Sequence, residues 1–222
     1  MAQSSATVYQ VTIELSASTV QQLQAGNFSL CALKAIATTA GGGQPTLWLV
    51  TQNYSKTTMI EWQPAYQAYV SQSTGVVLIA TTTPIDYGQI MSIAEEKVTG
   101  GGVADGMSIL NNTTAQYTSG LAAAPGGGNP TPMAAFPLFG NMMNAFAPVE
   151  EILLMFTNYP ATAGAGLTRA YAEALLIDME GATPRTVSFD INSGWSWGGG
   201  AWAQTIQPNA LLAPVLIDVT DL

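Results

Sequence analysis

Alternation of apolar and polar residues is the feature that most restricts the fold of this chain. From Tyr9 to Leu15 the odd-numbered residues are apolar and those between them are polar, which is the pattern of a strand with one buried face. Further short runs follow, with turn residues such as Gly-Gly-Gly, Gln-Pro and Ser-Thr-Gly between them: FSLCALKAIA, TLWLVTQ, TTMIEW, AYQAYVS and GVVLIATT. Short strands at this spacing predict an all-β protein built of antiparallel β-sandwich sheets.

Only a few segments favour a helix. SASTVQQLQAG offers serine N-caps, helix-forming residues and Gly26 as a stop, and it predicts a helix of two turns. QIMSIAEEKV and LTRAYAEALLIDM each fit either a helix or a strand. The remaining apolar runs predict further strands: GMSILNN, PVEEILLMFTNY, RTVSFDI and LLAPVLIDV.

One stretch is a candidate boundary between domains. Residues 119–137 hold four prolines and a Gly-Gly-Gly run and lack apolar periodicity. They are interpreted as a linker between an N-terminal β-rich half, 1–118, and a C-terminal β-rich half, 138–222. The alternative is a sheet-to-sheet crossover within a single domain, 1–222.

Charged residues are scarce. The chain has 5 basic and 14 acidic residues, and charged residues make up 9% of it, against about a quarter in typical domains. Together with a mean hydropathy of +0.24, this shortage predicts that partner subunits cover part of the surface, as in a homo-oligomer. The net charge of −9 and the scattered basic residues argue against a nucleic-acid partner.

Catalysis has little support in the sequence. The segment GWSWG, residues 194–198, matches the G-x-S-x-G pattern of serine hydrolases. A nucleophilic serine needs a general base, usually histidine, and the chain contains no histidine. The remaining catalytic arrangement is a pair of carboxylates from residues that are separated in the sequence, such as Glu61, Glu173 and Asp178. The chain is therefore expected not to be an enzyme and to have no catalytic residues.

No cofactor or metal site is expected either. The Gly-Gly-Gly runs fit no phosphate-binding motif, and a chain with one cysteine and no histidine offers no zinc ligand set. Oxygen atoms of Asp190 and Asn192 are suited to calcium, but Asp and Asn before glycine are equally typical of a turn. The single cysteine, Cys31, is expected to be buried in a strand.

Three tryptophans near the C-terminus are the binding-surface candidates. Trp195, Trp197 and Trp202 surround the run Gly198–Gly200, and indole rings stack on sugars, enter bilayer interfaces or anchor protein contacts. The alternative is that they close the end of a hydrophobic core. Trp48 and Trp62 are predicted to lie in the core and at a strand end.

These features favour a non-enzymatic self-assembling structural or interaction protein, such as a homo-oligomer, a filament or an ordered inclusion. One alternative is a pore-forming β-protein that acts on neutral lipid membranes. Another is a lectin-like glycan binder that uses the tryptophans. No signal peptide or transmembrane segment is visible, so the expected location is cytoplasmic, or outside the cell after release without a cleavable signal.

Overall fold

The computed structural model describes residues 7–72 and 82–222, and it is mostly strand. The predicted all-β class is confirmed. The strand predicted at GVVLIATT lies, apart from Thr82, outside the described residues. In chain order the elements are β1 (Tyr9–Leu15), α1 (Ala17–Ala25), β2 (Ser29–Thr38), β3 (Gln44–Pro45), β4 (Leu49–Thr51), β5 (Thr57–Trp62), β6 (Tyr66–Ser71), β7 (Thr82–Pro84), β8 (Gln89–Ser92), β9 (Lys97–Gly100), β10 (Met107–Asn111), β11 (Tyr117–Ala123), β12 (Thr131–Pro132), β13 (Ala134–Leu138), β14 (Met142–Thr157), β15 (Ala174–Asp178), β16 (Arg185–Asp190), β17 (Gly194–Ser196), β18 (Ala203–Ile206), α2 (Ala213–Leu216) and β19 (Ile217–Val219).

The strands within these described ranges form three sheets. The first has the order β17-β16-β1-β5. The second runs β18-β15-β14-β10-β8-β9, with β2 also paired to β14 and with β4 and β19 paired to β2. The third runs β3-β13-β11-β6-β7, with β12 paired to β11. In the first sheet, β5 and β17 are therefore the two edge strands.

The first and second sheets are mixed, whereas the sequence analysis predicted antiparallel ones; the recorded pairs of the third sheet are all antiparallel. Three pairs are parallel: β1 with β16, β8 with β10, and β2 with β19. Parallel partners need long crossover connections, and β1 and β16 lie at opposite ends of the chain. Alternation identifies a strand and its buried face but carries no information about the direction of a distant partner, so this part of the prediction is corrected.

Helix α1 forms where the sequence predicts it. Ser16 is the N-cap, and its hydroxyl accepts a hydrogen bond of 3.0 Å from the amide of Thr19, which satisfies one of the free donors of the first turn. Gly26 ends the helix, and Thr19 and Leu23 are the buried positions. The two ambiguous segments resolve mainly as strand: QIMSIAEEKV contains β8 and the start of β9, and LTRAYAEALLIDM contains β15.

The main core contains buried side chains from all three sheets. Phe156 of β14 packs against Phe189 of β16 at 4.8 Å and against Trp195 of β17 at 5.7 Å between ring centroids. Trp48 and Trp62 are buried, as predicted, and their rings meet edge to face at 5.8 Å. Aromatic pairs at these distances are favourable beyond the area that they bury.

The proline-rich stretch 119–137 contains strands of the third sheet. It includes most of β11, all of β12 and nearly all of β13, together with a short 3₁₀ turn at Pro125–Gly127. The second sheet takes β2, β8, β9 and β10 from before this stretch and β14, β15 and β18 from after it. The division of the chain into two halves stays a prediction.

The long strand β14 contains an irregularity that places charge in the interior. Its register against β2 shifts between Val149 and Ile152, so Glu150 and Glu151 stand in a β-bulge. A bulge leaves extra residues unpaired and redirects their side chains. Here it turns the carboxylate of Glu150 toward a buried lysine.

Candidate interaction surface

The three candidate tryptophans occupy different environments. Trp195 is 6% exposed and belongs to the main core. Its amide donates to Glu173 Oε1 at 3.3 Å and its indole N–H donates to the Glu173 carbonyl at 3.3 Å. Phe156 and Phe189 pack against this ring, so little of it is accessible to a ligand. Trp195 therefore lies in the hydrophobic core, as the alternative interpretation of the three tryptophans predicts.

Trp197 and Trp202 are partly exposed and pack against the edge of the same core. The Trp197 indole donates to the Gly200 carbonyl at 2.7 Å, which holds it in the glycine turn. The guanidinium carbon of Arg185 lies 4.7 Å from the ring centroid of Trp202, a cation–π distance. That these two residues form a binding surface remains a prediction.

The GWSWG segment does not adopt the geometry of a nucleophile. Ser196 ends the short strand β17, and the following residues form a glycine turn toward β18. A nucleophile elbow needs a strand that leads directly into a helix. Ser196 is exposed, and its carbonyl lies 3.5 Å from the Ser188 hydroxyl.

Asp190 is the centre of a hydrogen-bonded turn. Its Oδ1 accepts bonds from the amides of Asn192 and Ser193, and its Oδ2 accepts a 2.8 Å bond from the Thr19 hydroxyl. These bonds lower the pKa of Asp190, chiefly the bond from the Asn192 amide and next that from Thr19. The carboxylate thus fastens the turn to helix α1, as expected of an Asx-type turn.

A buried ion pair lies behind the bulge of β14. Lys34 on β2 is fully buried, and its Nζ lies 3.4 Å from Glu150 Oε2. The same carboxylate accepts a 2.7 Å bond from the Tyr66 hydroxyl and a 3.3 Å bond from the Trp62 indole. Lys34 Nζ also sits 4.0 Å from the Trp62 ring centroid. The charge of Lys34 is therefore compensated by one carboxylate and one aromatic face.

Burial dominates the ionisation of this lysine. Desolvation lowers the pKa of Lys34 from 10.5 to about 8, and attraction to Glu150 offsets only part of that fall. The ion pair thus costs stability relative to a solvated lysine. Cys31, on the same strand, is buried as predicted, and desolvation raises the pKa of its thiol to about 12, which makes the thiol unreactive at neutral pH.

Acidic side chains line a cavity on the outer side of the bulge. The cavity has a volume of about 360 Å³, and its walls include Tyr9, Glu150, Glu151, Asp178 and Glu180. Desolvation, followed by the charges of Asp178 and Glu180, raises the pKa of Glu151. Among residues 7–72 and 82–222, no group of three or more acidic or cysteine side chains is placed to hold a metal ion.

Most sheet edges carry features that discourage pairing with another chain. Strands β3 and β7 each contain proline, β9 begins with Lys97, and β4, β17 and β19 have only three residues each. Proline, lysine and short length are the usual means of protecting an edge. These edges are poor templates for another strand.

The edge strand β5 lacks such protection. It has six residues, TTMIEW, and is longer than any other edge strand in the described part of the chain. It pairs with β1 on one side, and no strand among residues 7–72 and 82–222 pairs with its other side. Its interior contains neither proline nor lysine. We call the unpaired side of Thr57–Trp62 the β5 edge.

One hydrogen bond determines which groups the β5 edge presents. The amide of Leu15 on β1 donates to the carbonyl of Lys56 at 2.8 Å. In an antiparallel pair, alternate residues direct both backbone groups to the same partner, so Thr58, Ile60 and Trp62 bond to β1. The amides and carbonyls of Thr57, Met59 and Glu61 consequently point to the open side.

The side chains of the outward-pointing residues are exposed as well. Thr57, Met59 and Glu61 are all exposed, and Met59 is 60% exposed. The Ser55 hydroxyl donates to the Thr57 carbonyl at 2.8 Å; the remaining outward groups have no strand partner within the described ranges. Backbone groups and an apolar side chain are thus available together.

Neither Lys34 nor the β5 edge was identified from the sequence. Lysine in KAIA looks like a solvent-facing residue, and the bulge that supplies its partner has no sequence signature. TTMIEW is recognisable as a strand, but its position at an edge depends on sheet order. The absence of proline and of internal lysine in TTMIEW is the one available signal.

No family model, curated protein or solved structure matches this chain. No helix within the described ranges is long and apolar enough to cross a membrane.

Proposed function

We propose that this chain is a non-enzymatic self-assembling protein whose copies join through the β5 edge. The observation that carries the proposal is the open edge itself, with outward backbone groups at Thr57, Met59 and Glu61 and neither proline nor lysine inside the strand. An added strand satisfies such groups by main-chain hydrogen bonds. A homo-oligomer, a filament or an ordered inclusion would each use this contact.

The charge distribution supports the same proposal. Only 19 of the 222 residues are charged, so copies meet with little local repulsion, and the residues from Thr57 to Ile60 carry no charge. Like-charge repulsion and edge lysines are what keep sheet edges apart. Burial of Met59 in a contact would remove the large apolar exposure of that side chain from water.

The glycan-binding and membrane alternatives have weaker support. Both relied on three indoles that share one surface, whereas Trp195 is buried in the core and Arg185 lies at cation–π distance from Trp202. We therefore propose assembly ahead of either alternative.

Sedimentation velocity of the wild type and of Met59→Lys tests the proposal. Wild type should sediment as a dimer or larger oligomer whose fraction rises with concentration, and Met59→Lys should sediment as a monomer because it places a charge at the middle of the edge. Met142→Lys is the matched control: it adds the same charge to a methionine that is 51% exposed and that begins strand β14. A wild type that stays monomeric at high-micromolar concentration, or equal dissociation of both variants, would refute the proposal.

A further inference from the structure

We infer that the β5 edge pairs with the β5 edge of a second copy, antiparallel and two-fold symmetric, with Met59 on the symmetry axis. The inference rests on the proposed self-assembly and specifies its partner strand and register. A two-fold contact uses the same patch on both copies. The β5 edge must then be complementary to itself.

Backbone geometry restricts the possible registers. In a two-fold antiparallel pair, residues directly opposite each other lie on the same face of the joined sheet, so an odd-numbered residue must face an odd-numbered one. The outward-pointing residues are Thr57, Met59 and Glu61. Centring the pair on Met59 places Met59 opposite itself and Thr57 opposite Glu61, and forms roughly six backbone hydrogen bonds.

The charges favour this register over those centred nearer to Trp62. At about 3.4 Å per residue, the two Glu61 side chains stand about 14 Å apart along the paired strands. Moving the centre toward Trp62 brings the two glutamates together, until they stand directly opposite each other when the centre reaches Glu61.

Side-chain packing on both faces of the joined sheet is also compatible with this register. Met59 meets its symmetry mate on the solvent face, so the most exposed apolar side chain of the strand is covered by an identical one. Thr58 stands opposite Ile60 on the inner face, and β-branched pairs of this kind stabilise antiparallel strands. The first sheet of one copy continues into the first sheet of the other as one eight-stranded sheet.

Disulfide trapping tests the register. Opposed residues of a hydrogen-bonded pair have Cα atoms about 5.5 Å apart, within the range of about 4.4 to 6.8 Å that a disulfide spans. Met59→Cys should form a disulfide-linked dimer under mild oxidation, and Met142→Cys is the control for random collision. The native Cys31 is buried and does not interfere. An equimolar mixture of Thr57→Cys and Glu61→Cys should cross-link, whereas each alone should not.

A charge exchange gives an independent readout. Thr57→Glu should weaken the dimer by about tenfold because Thr57 stands opposite Glu61 of the partner, and Thr57→Glu combined with Glu61→Lys should restore it. Absence of Met59 cross-linking in a wild-type-like oligomer would overturn the register and leave self-assembly standing. Monomeric sedimentation of the wild type, or equal cross-linking of Met142→Cys, would overturn both the register and the β5 contact.

Discussion

The ammonium of Lys34 lies 3.4 Å from the carboxylate of Glu150, and the lysine side chain is fully buried while the glutamate side chain is 19% exposed. Two strands of the second sheet meet at this point, and the bulge of β14 makes the contact possible. Because a buried charge without its partner is costly, this pair makes the interior of the sandwich sensitive to substitution and to pH.

Removal of Glu150 should destabilise the fold strongly. Glu150→Gln leaves the buried ammonium of Lys34 without a counter-charge, and breaking such a pair costs about 3 to 5 kcal/mol. Lys34→Met combined with Glu150→Gln should recover most of that loss, because it removes both charges. Urea denaturation of the wild type, the single variants and the double variant measures the coupling; additive effects of the two substitutions would contradict it.

Stability should depend on pH through Lys34. Its pKa is about 8 in the folded state and 10.5 in the ordinary state, so between these values the unfolded chain binds more protons and stability rises with pH. Below pH 8 Lys34 is charged in both states, so the full cost of burying its charge lowers the stability of the fold. The raised pKa of Cys31 makes stability fall with pH above pH 9. Because Lys34→Met keeps Cys31, the difference between wild type and Lys34→Met does not contain this contribution.

We therefore expect the difference in unfolding free energy between wild type and Lys34→Met to shift in favour of the wild type from pH 8 upward. The shift should be about 1.4 kcal/mol per pH unit, up to the unfolded-state pKa. Urea titrations at several pH values between 7 and 10 give this difference directly. A difference that is constant across the range would mean that Lys34 is solvated.

Trp195 should behave as a core residue. It packs against Phe156 and Phe189, and truncation of a buried aromatic side chain costs about 3 to 5 kcal/mol. Trp195→Ala should therefore lower the free energy of unfolding by that amount, and Trp197→Ala, which is only partly buried, should lower it less. If both variants lowered the free energy of unfolding by equal, small amounts and lost binding to glycans or membranes, a binding role would be favoured instead.

The Asp190 turn should be sensitive to acid and indifferent to calcium. Hydrogen bonds lower the pKa of Asp190 below 3.8, so its contribution to stability is present above that value and disappears as pH falls through the folded-state pKa. Asp190→Asn should lack this acid-dependent part. Thermal unfolding with calcium and with a chelator should give the same midpoint, because the carboxylate already has hydrogen-bond donors; a higher midpoint with calcium would indicate a metal site.

Local patterns predicted local structure well. The alternation from Tyr9 to Leu15 gives β1, and Ser16 and Gly26 bound the first helix. Burial of Cys31, Trp48 and Trp62 also follows from their apolar runs. These features depend on residues close together in the chain, where side-chain period and capping chemistry act directly.

Long-range features could not be predicted from local sequence patterns. The parallel pairing of β1 with β16 joins residues more than 170 positions apart, and no local pattern specifies it. The same holds for the bulge that delivers Glu150 to Lys34 and for the edge position of β5. The candidate surface therefore became visible only when the order of strands was known.

Hydrogen exchange of the β5 amides, measured in dilute and in concentrated protein, tests the central claim most directly. Thr58, Ile60 and Trp62 donate to β1 and should be protected in both samples. Thr57, Met59 and Glu61 point to the open edge and should exchange fast when dilute and slowly when concentrated. Fast exchange of these three amides in a sample that sedimentation shows to be assembled would contradict assembly through β5.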